Sequence, residues 1–417
     1  MRDNRIYYGI DLDDSYTMFS YLDSMHKEPQ TMSPVLGSGL YQIPTCIGRR
    51  RGEESWLYGE DAVRAARLLE ADLADQLFSR ALAEEDVYLE GKPHHPFDLL
   101  LHFLNHLMAL APQLAGQMAL GQMVFVLDRV DAKRVRLIGR LADAMHYSRE
   151  LIRVIDRQES FYYFVFHQQA QIFVGDVALF SYQEKVMRFW RLHRDQKTQP
   201  QMVTIEEKNL SVDTENLDLC FDQIIDQNFK GDRISSVYLI GKGFEGDWMK
   251  LSLNRLCRGR RVFIGKNLYT KGACYCGRVR MSDEAWPFAY LSSNDLKVNV
   301  GLQVLNHGKK EFRTLLAAGE NRYEAKGTCE VILDKQAELE LWIQEPRQKK
   351  AYLHVIELSD LPRRPPRTSR LRVQAKSRGD EAIEVKVFDL GFGDFYPSSG
   401  QVWTYQIALD KEGGKDE

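Results

Sequence analysis

Acidic side chains stand where an apolar strand ends. Tyr7-Tyr8-Gly9-Ile10-Asp11-Leu12 runs into the turn Asp13-Asp14-Ser15, and Tyr16 to Leu22 returns as a second strand, giving a hairpin with carboxylates at its tip. A tip that cradled an anion would need Gly, because only Gly lets backbone N–H groups approach that closely. Asp13 and Asp14 would instead repel a triphosphate. A second candidate lies at Gly241-Lys242-Gly243, after the strand Val237 to Ile240 and before a helix expected over Asp247 to Cys257. Free N–H groups and the positive end of a helix dipole could hold a phosphate there, with Lys242 adding charge; an ordinary strand-to-helix turn has the same sequence.

Other clusters carry less chemistry. Cys274-Tyr275-Cys276 has one intervening residue and no partner pair, which is poor zinc spacing, and the six cysteines are expected as reduced thiols without disulfides. His94-His95 reads as a loop between Pro93 and Pro96. Arg49 to Arg51 and the series Arg363, Arg364, Arg367, Arg370 and Arg372 lack interleaved aromatics, and the net charge of −3 gives no attraction to nucleic acid or an anionic membrane. No apolar run is long enough to span a bilayer, and the first residues lack the apolar stretch of a signal peptide, so a cytoplasmic location is expected.

The elements that position these residues fall into two regions. Up to about residue 293 strands alternate with helices: strands at 6–12, 16–22, 42–49, 123–127, 151–155, 171–175, 177–183 and 237–240, and helices at 97–110, 132–144, 214–227 and 268–278. After Ser292-Ser293-Asn294 the period becomes two, as in Leu339/Leu341/Ile343 and Ile383/Val385/Val387. Seven or eight such strands predict an antiparallel β-sandwich. The domains are therefore 1–293 and 297–410, with a charged tail, 411–417, expected to be disordered.

This order resembles the DnaK-type heat-shock chaperones of the actin-like ATPase superfamily. Gly9-Ile10-Asp11-Leu12 looks like their first phosphate strand, and Tyr58-Gly59-Glu60-Asp61-Ala62 like a helix start of that family. Leu239 to Gly243 and Lys271-Gly272-Ala273 resemble the adenosine-side turn and helix, and Glu357 to Arg367 with Asp389 to Gly393 the end of the peptide-binding domain. The resemblance implies an α/β actin-like core of two ribonuclease H-like subdomains followed by the sandwich. It also implies ATP or ADP with magnesium on Asp11 and Asp176 as catalytic and metal carboxylates. Asp13, Asp14, Ser15, Ser181, Gly241, Lys242, Gly243, Lys271 and Gly272 would lie about the nucleotide, and Val304, Leu305, Leu339 and Leu341 would line a peptide cleft.

Departures from the family change the expectation. Val177-Ala178-Leu179-Phe180-Ser181 stands for a Gly-rich phosphate loop, Arg157 replaces a Glu in register, with Glu159 two residues on, and no helical lid is expected after the sandwich. The expected function is thus a chaperone-related or adaptor protein that binds polypeptide or a protein partner through the sandwich, on a degenerate, non-hydrolysing core. The alternatives are an active ATPase using Asp11 and Asp176, or a self-associating actin-like scaffold.

Overall fold

The computed structural model describes residues 4–34, 39–111, 118–183, 185–231, 233–334, 337–345, 350–379 and 382–409. The expected disordered tail, 411–417, lies outside them. The chain divides into two compact units, Met1–Tyr290 and Leu291–Glu417.

The first unit opens with β1 (Arg5–Leu12), β2 (Tyr16–Leu22), β3 (Gln30–Thr31) and β4 (Ile43–Pro44). A small sheet follows, β5 (Ile47–Arg50), β6 (Trp56–Tyr58) and β7 (Ala71–Ala74), crossed by α1 (Gly59–Arg67). Next come α2 (Leu77–Ala83), the hairpin β8 (Val87–Leu89) and β9 (Lys92–His94), and α3 (Pro96–Ala109). Then β10 (Ala119–Leu127), α4 (Ala132–Ala144), β11 (Ile152–Asp156) and α5 (Arg157–Phe166) complete the first half.

The second half contains β12 (Asp176–Gln183), β13 (Val186–Asp195), β14 (Gln201–Leu210), α6 (Leu217–Phe229), β15 (Ile234–Ile240), α7 (Leu251–Leu256), β16 (Arg261–Gly265), α8 (Leu268–Arg280) and β17 (Phe288–Tyr290). One plan serves both halves. Three antiparallel strands come first and two parallel strands join the other side of the first, giving β3-β2-β1-β10-β11 and β14-β13-β12-β15-β16. A shared core fills the space between them, with Tyr7, Val124 and Val126 from one sheet and Val177, Leu179 and Tyr238 from the other.

The aromatic run Phe161 to Phe166 forms α5, and Phe161, Tyr162, Tyr163, Val165 and Phe166 are all buried, as an element apolar on every side must be. It crosses α8 at Gly272, where an added Cβ would lie 2.0 Å from the Ser160 carbonyl oxygen. Three expected elements differ, the first being the strand expected at 42–49, which is two short strands, β4 and β5, in separate sheets. Residues 171–175 are a 3₁₀ turn and loop, because the Ser235 and Ser236 hydroxyls both donate to the Ile172 carbonyl and hold the chain out of the sheet. The helix expected from Asp247 starts only at Leu251, because Asp218 accepts the N–H groups of Lys250, Leu251 and Ser252 and fixes the start there.

The second unit is two four-stranded antiparallel sheets. One has β18 (Asn299–Asn306), β19 (Lys309–Leu316), β21 (Glu338–Glu345) and β22 (Lys350–Glu357) in the order β19-β18-β21-β22. The other has β20 (Lys326–Ile332), β23 (Arg370–Ser377), β24 (Ala382–Gly391) and β25 (Val402–Ala408), adjacent in chain order. Strict alternation puts Val300, Leu302, Leu341, Leu371, Val373, Ile383, Val385 and Val387 into its core. Arg364, its side chain 5% exposed, binds the buried Asp389 carboxylate through two parallel 2.8 Å hydrogen bonds.

Candidate functional site

The C-terminal end of β1 carries the site. Asp11 is fully buried, and an arginine meets it: Arg157, the first residue of α5, with a side chain 15% exposed. Asp156 caps the helix by accepting the Glu159 N–H at 2.7 Å, which sets the first turn of α5 at the strand ends. The Arg157 guanidinium lies 3.3 Å from Asp11 Oδ1, 3.0 Å from Asp13 Oδ2 and 3.2 Å from Asp128 Oδ1. It also sits 5.4 Å from the Tyr269 ring centroid. Asp128 follows β10 directly and also accepts from Arg188 of β13 at 2.9 Å, so the network runs from the first sheet to the second.

A guanidinium therefore stands against the carboxylate expected to hold magnesium. Burial, the largest influence, raises the Asp11 carboxyl above the usual carboxylate range; Arg157 opposes this and Asp13 adds to it. Oδ2 of Asp11 is buried and has no hydrogen-bond partner among the described residues. Burial is the largest influence on the Arg157 cation and disfavours it, but Asp11 first, then Tyr16, Tyr269 and Asp13, together outweigh it and hold the guanidinium protonated.

The other hairpin residues are spent locally. Asp13 accepts the Ser15 N–H at 3.0 Å and the Asp13 N–H bonds the Tyr16 carbonyl, which closes the turn with Ser15 exposed. Asp14 accepts the N–H of Ser79 at 2.9 Å and its hydroxyl, tying the turn to α2. Glu159 is buried and paired with Arg280 at 3.2 Å.

Asp176 is not brought to Asp11. It begins β12, whereas Arg188, the link to the Asp11 network, lies next to the turn at the other end of the strand. Seven strand residues separate Asp176 from that turn, about 23 Å at 3.3 Å per residue. Its partner is His193, 2.8 Å away. Ser181, opposite Arg188 across the β12–β13 ladder, is nearer the network than Asp176.

The glycine turn does not hold an open cradle. Gly241 has φ +104°, and an added Cβ would lie 2.3 Å from the Tyr182 carbonyl oxygen; at Gly243 it would meet the Tyr182 ring at 2.2 Å. The two glycines thus admit Tyr182, which is 6% exposed. The Gly243 carbonyl accepts from the Trp248 indole at 3.0 Å, and Lys242 is exposed. Gly272 serves the crossing of α5 and α8 rather than a ligand, beside a half-buried Lys271.

These residues do not fit a magnesium nucleotide. Arg157 meets the carboxylate expected to hold the cation, and Tyr182 packs against the two glycines expected to face the nucleotide. Among the described residues, no group of three or more His, Cys, Asp or Glu side chains could hold a metal, and the six cysteines are free. No helix is long and apolar enough to cross a membrane among the described residues.

In the sandwich the expected cleft residues separate. Leu339 and Leu341, 7% and 0% exposed, belong to the core because strand alternation turns them inward. Val304 is half-buried and Leu305 exposed. Arg157 was legible as a charge reversal in register; Asp128 and Arg188 were not, since only sheet packing brings them there.

Residues 28–293 match the model described as family of unknown function (DUF5716) C-terminal, and residues 295–409 match domain of unknown function (DUF8552). No curated protein matches the chain. With the first model spanning more than half of its length, the chain belongs to the DUF5716 family.

Proposed function

We propose that this protein is a non-hydrolysing relative of the actin-like, DnaK-like architecture that works as a protein-binding adaptor. The single observation that carries the reading is the Arg157 guanidinium against Asp11, Asp13 and Asp128. A permanent cation compensates the carboxylates that magnesium would otherwise need to meet, and it bridges through Asp128 to Arg188 in the second half. The first unit is then held in one arrangement by its own side chains. Two halves with one strand order support the reading of paired ribonuclease H-like subdomains.

With chemistry removed from the core, recognition falls to the sandwich. Extended polypeptide captured by main-chain pairing suits a two-sheet domain with open edges. Titrating the full chain with a panel of extended apolar peptides, read by fluorescence anisotropy with and without Mg-ATP, tests both parts. Saturable binding that nucleotide leaves unchanged is expected. No binding to any peptide contradicts the adaptor role, and nucleotide-dependent release contradicts the locked core.

A further inference from the structure

Among the described residues, the edge strand β22 has no Pro, bulge or central charged Lys, Arg, Asp or Glu to hinder pairing. Among the described residues it pairs only with β21, and it is a regular eight-residue strand without Pro or bulge. Its charged residues, Lys350 and Glu357, stand at the two ends, and between them Tyr352, Leu353 and Val355 are 45%, 44% and 52% exposed. Natural edges are blunted by central Lys, Pro or bulges; this one presents a flat apolar ladder with its outer N–H and C=O groups turned to solvent.

The charge distribution selects the occupant. Glu338 and Glu340 on β21 lie opposite Glu357 and Val355, so one end of the edge is acidic. The other end begins with Lys350, which faces Glu345 across the ladder. An antiparallel copy of the same strand sets the basic end of each against the acidic end of the other.

We propose that β22 pairs with β22 of a second copy of this chain, forming a two-fold dimer with one continuous eight-stranded sheet. A two-fold axis through an antiparallel pair sets one residue opposite itself. Centred on His354, the pair sets Leu353 against Val355 of the second copy on the outer face, beside Trp342 of β21, and Tyr352 against Ile356 on the other. Apolar residues then meet apolar residues at four positions, which no shift by one residue achieves. This dimer rests on the edge alone and is independent of the adaptor reading above.

Sedimentation velocity of the full chain from nanomolar to high micromolar concentration tests it. The wild type is expected to dimerise; Val355→Lys is expected to be monomeric and, since the side chain is exposed, to melt as the wild type does at concentrations where the wild type is monomeric. Adding Leu353→Glu to Val355→Lys sets opposite charges across the pair and is expected to restore the dimer. A wild type monomeric throughout, or a dimer indifferent to Val355→Lys, overturns the proposal, and loss of the dimer without rescue by the double variant overturns the His354-centred register.

Discussion

Replacing Arg157 with Ala removes the cation from a fully buried Asp11 and from two carboxylates beside it. Taking one partner from a buried ion pair costs about 3–5 kcal/mol, mostly because the remaining charge is left uncompensated. The pairs with Asp13 and Asp128, 28% and 47% exposed, are screened and add at most about 1 kcal/mol each. A loss of about 4 kcal/mol, or roughly 10 °C in melting temperature, is therefore expected for the first unit. Chemical denaturation at neutral pH measures it, and Asp11→Asn added to Arg157→Ala should recover most of the loss, because the stranded charge is gone. Acid should also help Arg157→Ala. Burial raises the folded-state Asp11 carboxyl above its unfolded value, and losing Arg157 raises it further. Between those two values the folded state holds the extra proton, so the stability of the variant increases as pH falls through that window. An Arg157→Ala protein as stable as wild type, or one that the second substitution does not rescue, would refute the reasoning.

Other perturbations follow from the same contacts. Gly272→Ala places a Cβ 2.0 Å from the Ser160 carbonyl and should cost roughly 1–3 kcal/mol by forcing α5 and α8 apart, seen as a lower denaturation midpoint. In the sandwich, burial alone would raise the Asp389 carboxyl, but the bonds from Arg364 and then Ser399 outweigh it and hold it well below the usual range. That stability is complete above the unfolded carboxylate value and is lost as pH falls through the folded one, so Arg364→Ala should both destabilise the domain, by about 3–5 kcal/mol, and flatten its acid unfolding followed by circular dichroism. Leu341→Asp should unfold the sandwich by burying an unpaired charge, whereas Leu305→Asp, at an exposed position, should change its stability by no more than about 0.5 kcal/mol, both read by thermal denaturation.

The periodicities carried most of the architecture. Alternation from Leu296 onward marked the sandwich strands because each has one dry face, and that face is the core. The aromatic run before His167 gave no period, since α5 is buried on all sides and leaves no polar stripe to read. At the site, Asp11 stood out in the sequence as a carboxylate at the end of an apolar strand, and Arg157 only as a departure from the chaperone resemblance; that the two meet was not legible. Asp176 was misplaced by local sequence: a carboxylate beside an apolar strand looks the same at either end, and only the β12–β13 pairing tells which end meets Asp11. Tyr182 filling the Gly241–Gly243 turn is likewise a contact between separate elements that spacing does not encode.

In the proposed reading, Arg157 and Tyr182 stand where a magnesium nucleotide would bind. Isothermal titration calorimetry of the full chain with Mg-ATP tests it most directly. No saturable heat is expected up to millimolar nucleotide; a binding isotherm with a micromolar dissociation constant, abolished by Asp11→Asn, would overturn the proposed reading.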